Sequence, residues 1–241
     1  VYYGGGVISN VLVVQVAWTA EVAATRQADL TKFYEAVLGS TYLDWLSEYD
    51  TIGKVGFADG LPGSEQHIGR GSFAGAFVIT PNNTATLLDD AAIAKELVDQ
   101  IGSGALPKPE LDAQGRVRSL YMFDFPPGYD FTVGPSVGCG DFDGYHSTVL
   151  IDDTAVPFGV HPDCGHSFGA LTAVHAHELV EAITDPDTGL AAGLERPMAW
   201  RATWENGNAE EISDLCQAAG VGIVGGFKVA KNWSNYAGGC V

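Results

Sequence analysis

The chain is poor in positive charge. Its 241 residues include 12 Lys and Arg against 30 Asp and Glu, which gives a formal net charge of −18 at pH 7. An acidic surface repels phosphate groups, so we expect neither nucleic acid nor an anionic membrane as a partner. The sequence also lacks any apolar run of the roughly 20 residues that span a bilayer, so we expect no membrane segment.

Cysteine is scarce as well. The chain has four, Cys139, Cys164, Cys216 and Cys240, and no C-x-x-C spacing. That spacing is typical of zinc ribbons and thioredoxin-like proteins, so its absence disfavours both. The even count, the low lysine content and the opening at Val1 instead of a methionine predict a processed, secreted protein with disulfides. Pairing of sequence neighbours would join Cys139 to Cys164 and Cys216 to Cys240, but connectivity does not follow from sequence.

The chain does have enough apolar residues for one good-sized core, at 46% of its composition. Runs rich in β-branched and aromatic residues predict strands at 7–18, 73–80, 119–125, 146–151 and 156–160. Amphipathic spacing predicts helices at 29–46 (broken near Gly39), 88–101, 167–186 and 209–219.

Strands alternate with helices through the first 125 residues, which is typical of βαβ units. We therefore expect one α/β domain over 1–241, with α+β as the alternative class. It would contain a mixed, mostly parallel sheet with flanking helices and an edge hairpin. Residues 1–130 would form the α/β part, and 131–241 a zincin-like site helix with an irregular, disulfide-stapled C-terminal subregion.

The predicted helix 167–186 carries the richest set of ligand-type residues. Ser167 is suited to cap its start, and a proline follows its last turn. His177, Glu181 and Asp185 fall at i, i+4 and i+8, so they share one helix face. His175 lies about 200° around the helix from His177, which gives it a packing or supporting role.

The segment H-E-L-V-E at 177–181 predicts a metal site. In zinc peptidases, H-E-x-x-H places two ligands one turn apart with a glutamate beside them as general base. Here Glu181 replaces the second histidine, and a carboxylate oxygen can bind zinc at about 2.0–2.2 Å. Glu178 stands where the general base belongs. The alternative is an ordinary solvated acidic helix face.

A second acidic segment follows at 205–216, E-N-G-N-A-E-E-I-S-D-L-C. Together with H-E-L-V-E-A-I-T-D, it resembles the thermolysin pattern, in which H-E-L-x-H-A-x-T-D is followed by N-E-A-I-S-D. That resemblance implies that Glu210 is the third zinc ligand. It also implies that Asp214 orients the His177 imidazole.

The chain also resembles the secreted family of plant Exordium (phosphate-induced) proteins and their bacterial and fungal relatives. The shared motifs are an opening glycine-rich strand, an aromatic-His element, A-H-E-L-V-E-A-I-T-D-P and E-I-S-D-L-C, which here comprise Gly5, Gly6, Val11, Val13, Trp18, Tyr145-His146, residues 176–186 and residues 211–216. This resemblance implies that Glu211 is the stronger ligand candidate and that Asp185 supports the site without binding metal. Plant members are associated with cell-wall growth signalling.

Two further observations leave alternatives open. His146 follows a glycine-rich loop at the start of a predicted strand. It could supply a second imidazole, hydrogen-bond a tetrahedral intermediate, or simply bond to backbone. Asp185 and Asp187, with Glu205, form an alternative calcium site, because calcium prefers hard oxygen ligands.

These patterns lead to a functional hypothesis. We expect a secreted, monomeric, disulfide-bonded zinc metallohydrolase, a peptidase acting on peptide or protein substrates. Zinc would be held by His177, Glu181 and Glu211 (or Glu210), with Glu178 as general base. One alternative is a non-catalytic extracellular module that binds cell-wall glycan and holds a structural ion. Another is a metal-independent glycoside hydrolase that uses the carboxylate pair Glu178 and Glu211.

Overall fold

The computed structural model describes residues 1–57, 60–189, 197–202 and 210–241. In chain order the elements are β1 (Leu12–Ala17), α1 (Ala20–Val22), a π-helical turn (Ala23–Gln27), α2 (Ala28–Leu38), a 3-10 helix (Asp44–Tyr49), β2 (Ser72–Val78), β3 (Leu87–Asp89), α3 (Asp90–Ser103), β4 (Ser119–Asp124), β5 (Asp130–Val133), β6 (Ser136–Val137), β7 (Tyr145–Ile151), β8 (Thr154–His161), α4 (Phe168–Thr184), a second 3-10 helix (Asp214–Ala219), β9 (Val221–Val224), β10 (Phe227–Ala230), β11 (Trp233–Ser234) and β12 (Gly239–Cys240).

The central sheet has five strands in the order β2-β1-β4-β8-β7. β1 runs parallel to β2 and β4, and β4 runs parallel to β8. β7 closes one edge as an antiparallel hairpin with β8. Parallel strands are covered on both faces, which explains why β1 and β4 are buried at every residue. The predicted α/β class, mostly parallel sheet and edge hairpin are confirmed.

Side-chain alternation along the strands divides the core into two layers. In β4, Leu120 and Met122 face the layer that contains α2 and α4. Tyr121 and Phe123 face the opposite layer, which contains α3. This alternation follows from the two-residue period of a strand. The site helix α4 therefore lies directly on the sheet.

The first strand is shorter than predicted. The prediction began it at residue 7, because Val7 and Ile8 open an apolar run. Both are buried, but the Val7 amide donates to the side chain of Gln66 at 3.1 Å and the Ile8 amide to the carbonyl of Ile183 at 2.9 Å. Their backbone amides are thus satisfied outside the sheet, and strand pairing begins only at Leu12.

The helix predictions are confirmed with shifted ends. α2 ends at Leu38, next to the predicted break at Gly39. The helix predicted at 209–219 is a 3-10 helix that begins at Asp214, and residues 203–209 lie outside the described part of the chain. The Ser167 side chain caps α4 by accepting from the Ala170 amide, as predicted.

The second half of α4 is buried on nearly every side. Leu179 and Ile183 are in the core, whereas Phe168 at the first turn is 37% exposed. Asp185 leaves helical geometry, with φ −148° and ψ 66°. Its carboxylate therefore departs from the predicted row with His177.

Both disulfides join sequence neighbours, Cys139 to Cys164 and Cys216 to Cys240. The first ties the loop before β7 to the loop before α4, and the second ties the C-terminal 3-10 helix to β12. Each helix in the described ranges is too short or too polar to cross a bilayer. These features are compatible with an extracellular protein.

Candidate metal centre

A cleft of about 650 Å³ opens beside α4. Its walls come from the loop 140–145, from α4 and from the segment 211–221. Most of the polar residues that line it are titratable: Asp141, Asp143, Tyr145, His146, His177, Glu178, Glu181, Glu211, Asp214 and Lys231. The cleft is therefore lined by the two acidic segments, 177–181 and 211–214, and by His146 near the start of β7.

The first ligand-type group in the cleft centres on His177. Its Nε2 lies 3.1 Å from Oε2 of Glu181 and 3.4 Å from Oδ1 of Asp214. The other oxygen of Glu181 accepts from the backbone amides of Ser213 and Asp214, both at 3.1 Å. These two amides fix the Glu181 carboxylate, which leaves Oε2 directed at the imidazole.

A second group shares Glu181. Ligand atoms of His146, Glu181 and Glu211 lie within 4.8 Å of one another, and all three residues are buried. Nε2 of His146 is 3.4 Å from Oε1 of Glu211. Nδ1 of His146 is 3.4 Å from Oε2 of Glu178, so the ring spans two carboxylates.

The excess of carboxylates controls the charge of both imidazoles. Burial alone would lower the pKa of His177, but Glu181 and Asp214 outweigh burial and raise the pKa to about 12. Burial opposes the charge of His146 too, yet the Glu211 carboxylate raises the pKa of His146 well above its usual value. Both rings therefore attract a positive charge, either a proton or a metal ion.

The pKa values of the neighbouring carboxylates are shifted as well. Burial and the neighbouring Glu211 raise the pKa of Glu181 to about 7, although His177 opposes the shift. Burial would also raise the pKa of Asp214, but its contact with His177 lowers it. The predicted contact between Asp214 and the His177 imidazole is present in the structure.

Sequence reasoning missed Arg201, which no motif singled out. Its Nε donates to Asp185 at 2.5 Å, and its Nη2 lies 3.3 Å from Oε2 of Glu211. The Asp185 carboxylate also accepts from the Ala199 amide at 2.6 Å. Burial and Glu211 raise the pKa of Asp185 to about 6, and Arg201 opposes them. Arg201 therefore connects Asp185 to Glu211, which lines the cleft.

The donor set in the cleft fits a metal ion. Oε1 of Glu211 is buried, faces His146, and has no hydrogen-bond partner within the described ranges. Imidazole nitrogens with carboxylate oxygens are typical of zinc, whereas calcium takes oxygen ligands alone. These groups could hold a metal ion.

The predicted ligand set is only partly assembled. His177 and Glu211 each group with Glu181, but the structure places them in two different groups. Glu210 is exposed and belongs to neither group. Of the alternative calcium ligands, Asp187 is half-buried, and Glu205 lies outside the described residues.

His175 lies elsewhere, in the core between α4 and the sheet. It is fully buried, and its Nε2 lies 3.0 Å from Oδ1 of Asp124. Its ring stacks on that of His161, with centroids 3.7 Å apart. Burial lowers the pKa values of His161 and His175 to about 3. Of the two roles predicted for His175, packing or support of the metal site, the structure shows packing in the core.

Gly144 allows the loop to approach the cleft floor. A Cβ atom at this position would lie 2.7 Å from Cγ1 of Val174 and 3.2 Å from Oε1 of Glu178. Only a residue without a side chain fits at this distance. The loop thereby covers Glu178, which is 4% exposed.

Comparisons with protein-family models, with curated proteins and with solved structures gave no match. The fold and the cleft define an α/β protein with a candidate metal centre.

Proposed function

We propose that the protein is a secreted zinc-dependent hydrolase that cleaves peptide bonds. The observation that carries the proposal is the position of Glu178. It lines the cleft, contacts His146, and belongs to neither of the ligand groups that the described residues form around Glu181. When bound, zinc would act as a Lewis acid that polarises the scissile carbonyl and acidifies a water.

The proposed ligand set extends the one predicted from sequence. His177 and Glu181 supply the helical pair, and His146 supplies the second imidazole that H-E-x-x-E lacks. Glu211 completes the set, because its buried Oε1 faces His146, and the attacking water would then be a fifth ligand of the zinc. Asp214 would hold the His177 ring in place through the contact at 3.4 Å.

Glu178 would act as the general base. Its carboxylate would take a proton from the attacking water and pass it to the leaving amine. The contact between Oε2 and Nδ1 of His146, at 3.4 Å, would fix the orientation of the carboxylate. Gly144 leaves the carboxylate the space it needs.

The glycoside hydrolase alternative is less well supported. A carboxylate-pair mechanism requires the sugar to lie between the two carboxyl groups. The His146 ring stands between Glu178 and Glu211, at 3.4 Å from each. This arrangement does not favour Glu178 and Glu211 as the two catalytic carboxylates of such an enzyme.

The glycan-binding alternative is supported by a second groove, of about 660 Å³. Tyr42, Trp45 and Tyr236 line it, and Tyr236 is 96% exposed. Aromatic rings with one exposed face suit stacking contacts. A non-catalytic module would use this groove and would hold its ion for structure alone.

A single substitution separates the enzyme from the module. Glu178→Gln is nearly isosteric and removes only the proton-transfer group. We expect hydrolysis of denatured casein to fall at least about 10²-fold, with the metal content of the parent retained. The matched control is Glu210→Gln, an exposed carboxylate outside both ligand groups, which should leave the rate unchanged. A zinc-loaded parent that cleaves neither casein nor a broad peptide library, from acidic to neutral pH, would support the module instead.

A further inference from the structure

The second groove adjoins the cleft. Ala230 and Lys231 line both cavities, so the two meet at the end of β10. β9 runs from one cavity to the other, because Val221 lines the cleft and Ile223 lines the groove. The groove is therefore within reach of a long substrate that is bound in the cleft.

The outer edge of β9 offers backbone groups for pairing. Within the described ranges, β9 pairs with β10 alone, as a two-stranded antiparallel ribbon. In such a ribbon every second residue directs its backbone N–H and C=O away from the partner strand. A two-residue loop joins Val224 to Phe227, which places Val221 and Ile223 on the outward side. An extended peptide can add to such an edge as a further strand.

The length of β9 sets the distance between the two cavities along this edge. Val221 and Val224 are three residues apart, and a strand rises about 3.3 Å per residue, so they are separated by about 10 Å. A peptide that leaves the cleft along β9 would therefore place a side chain in the groove at least about three residues from the cleaved bond.

Three exposed apolar side chains lie along this path. Val221 is 46% exposed, Ile223 is 65% exposed and Tyr236 is 96% exposed. Exposed apolar groups that cluster around one groove are typical of a binding surface.

The polar groups of the groove are largely used within the protein. The Tyr42 hydroxyl donates to the carbonyl of Ala230 at 2.8 Å and accepts from Nδ2 of Asn232 at 2.9 Å. The hydroxyls of Ser47 and Ser234 are each bonded to a backbone group at 2.9 Å. A sugar needs several free donors and acceptors, whereas an apolar side chain needs none. The groove therefore favours an apolar side chain of a peptide over a glycan.

We propose that a peptide substrate lies along β9 as an added strand and places a large apolar side chain in the second groove. The inference rests on the function proposed for the cleft and specifies its substrate. That substrate is an extended polypeptide with an aromatic or large aliphatic residue at least about three positions from the cleaved bond. Main-chain hydrogen bonds to β9 would supply affinity, and the groove would supply selectivity.

A position scan tests the groove from the side of the substrate. Soluble alanine-rich dodecapeptides carry one Phe, which is moved along the chain, and mass spectrometry identifies the bond that the zinc-loaded parent cleaves. We expect kcat/KM to rise about tenfold when Phe stands at one position, three or more residues from that bond. The gain should lie in KM, because the contact is remote from the reacting atoms. The absence of a preferred remote position would overturn the groove assignment.

Methylation of single backbone nitrogens in the preferred peptide tests the added strand. Each methyl group removes one donor from the peptide and leaves the protein unchanged. Between the cleft and the groove, methylation should raise KM by about tenfold at alternate positions only. Equal KM values at all of these positions would overturn the pairing with β9.

Matched protein variants test the groove from the other side. Tyr236→Ala combined with Ile223→Thr changes two exposed side chains of the groove, and Leu87→Thr changes an exposed residue outside both cavities. The groove variant should lose the preference for the remote Phe, yet cleave tetrapeptides too short to reach the groove as the parent does. Leu87→Thr should keep the preference. A groove variant that keeps it as well would overturn the inference.

Binding to the Glu178→Gln variant distinguishes this inference from the proposed function. Calorimetry measures the affinity for the dodecapeptides and for a chito-oligosaccharide, with and without the groove substitutions. Peptide binding that needs the groove, in a protein whose parent cleaves no peptide, would support the inference and contradict the hydrolase. Hydrolysis without any dependence on the groove would overturn the inference and leave the proposed function intact. Binding of the chito-oligosaccharide alone, lost with the groove substitutions, would overturn the inference in favour of the glycan-binding module.

Discussion

At the residue scale, the cleft is organised around Glu181. One of its oxygens is held by two backbone amides, and the other faces His177. The same residue groups with His146 and Glu211. A carboxylate fixed by backbone donors keeps its position whether or not the imidazoles are protonated, so it can serve as the constant member of a metal site.

Proton release should accompany metal binding. Glu181 and Asp214 raise the pKa of His177 to about 12, so in protein stripped of metal this ring is protonated on both nitrogens at neutral pH, and Glu211 shifts the pKa of His146 upward as well. Zinc must displace these protons, and its affinity should therefore rise as pH rises, by about tenfold per pH unit for each proton released. Calorimetry in buffers of different ionisation enthalpy measures the number. An affinity that does not change between pH 6 and 8 would show that neither ring binds the ion.

At the scale of elements, α4 contributes to the cleft from one face and to the core from another. His177 and Glu181 face the cleft, whereas His175 faces the sheet. The loop before β7 completes the cleft by passing close to α4. Its position depends on Gly144, which makes a test of the loop possible without touching a ligand.

The substitution Gly144→Ala should displace the carboxylate of Glu178, the proposed general base. The added Cβ would lie 2.7 Å from Cγ1 of Val174 and 3.2 Å from Oε1 of Glu178. We expect a loss of stability of about 1–3 kcal/mol from overpacking and a fall in kcat approaching about 10²-fold from the displaced carboxylate. The matched control is Gly140→Ala in the same loop, where the nearest atom would be 3.5 Å from the new Cβ. Equal kcat values in the two variants would show that Glu178 is not needed at its present position.

The elements and the helical ligand pair could be predicted because both follow from local periodicity. β4 and α4 have ends within two residues of those predicted. The approach of His146 to Glu211 and the pairing of Arg201 with Asp185 depend on contacts between distant segments. No spacing rule encodes such contacts. The placement of Asp124 beside His161 depends in the same way on the register between two strands that lie far apart in the sequence.

At the scale of the whole molecule, the disulfides hold the cleft walls in place. Each closes a short loop, with sequence separations of 25 and 24. Removing either bridge should lower the free energy of unfolding by about 2–5 kcal/mol. Urea unfolding of Cys139→Ser/Cys164→Ser and of Cys216→Ser/Cys240→Ser measures each loss. Titration of the unreduced, unfolded parent should find no thiol, and four reactive thiols would contradict both bridges and the argument for secretion.

We propose that the cleft holds zinc among residues of α4, β7 and the segment before the second 3-10 helix. An anomalous difference map, collected at the zinc absorption edge from crystals of zinc-loaded protein, would locate the ion. We expect a peak in the cleft, bounded by His146, His177 and Glu181, with Glu178 beside it. A map from fully loaded crystals with no peak at that position would show that the cleft is not a zinc site.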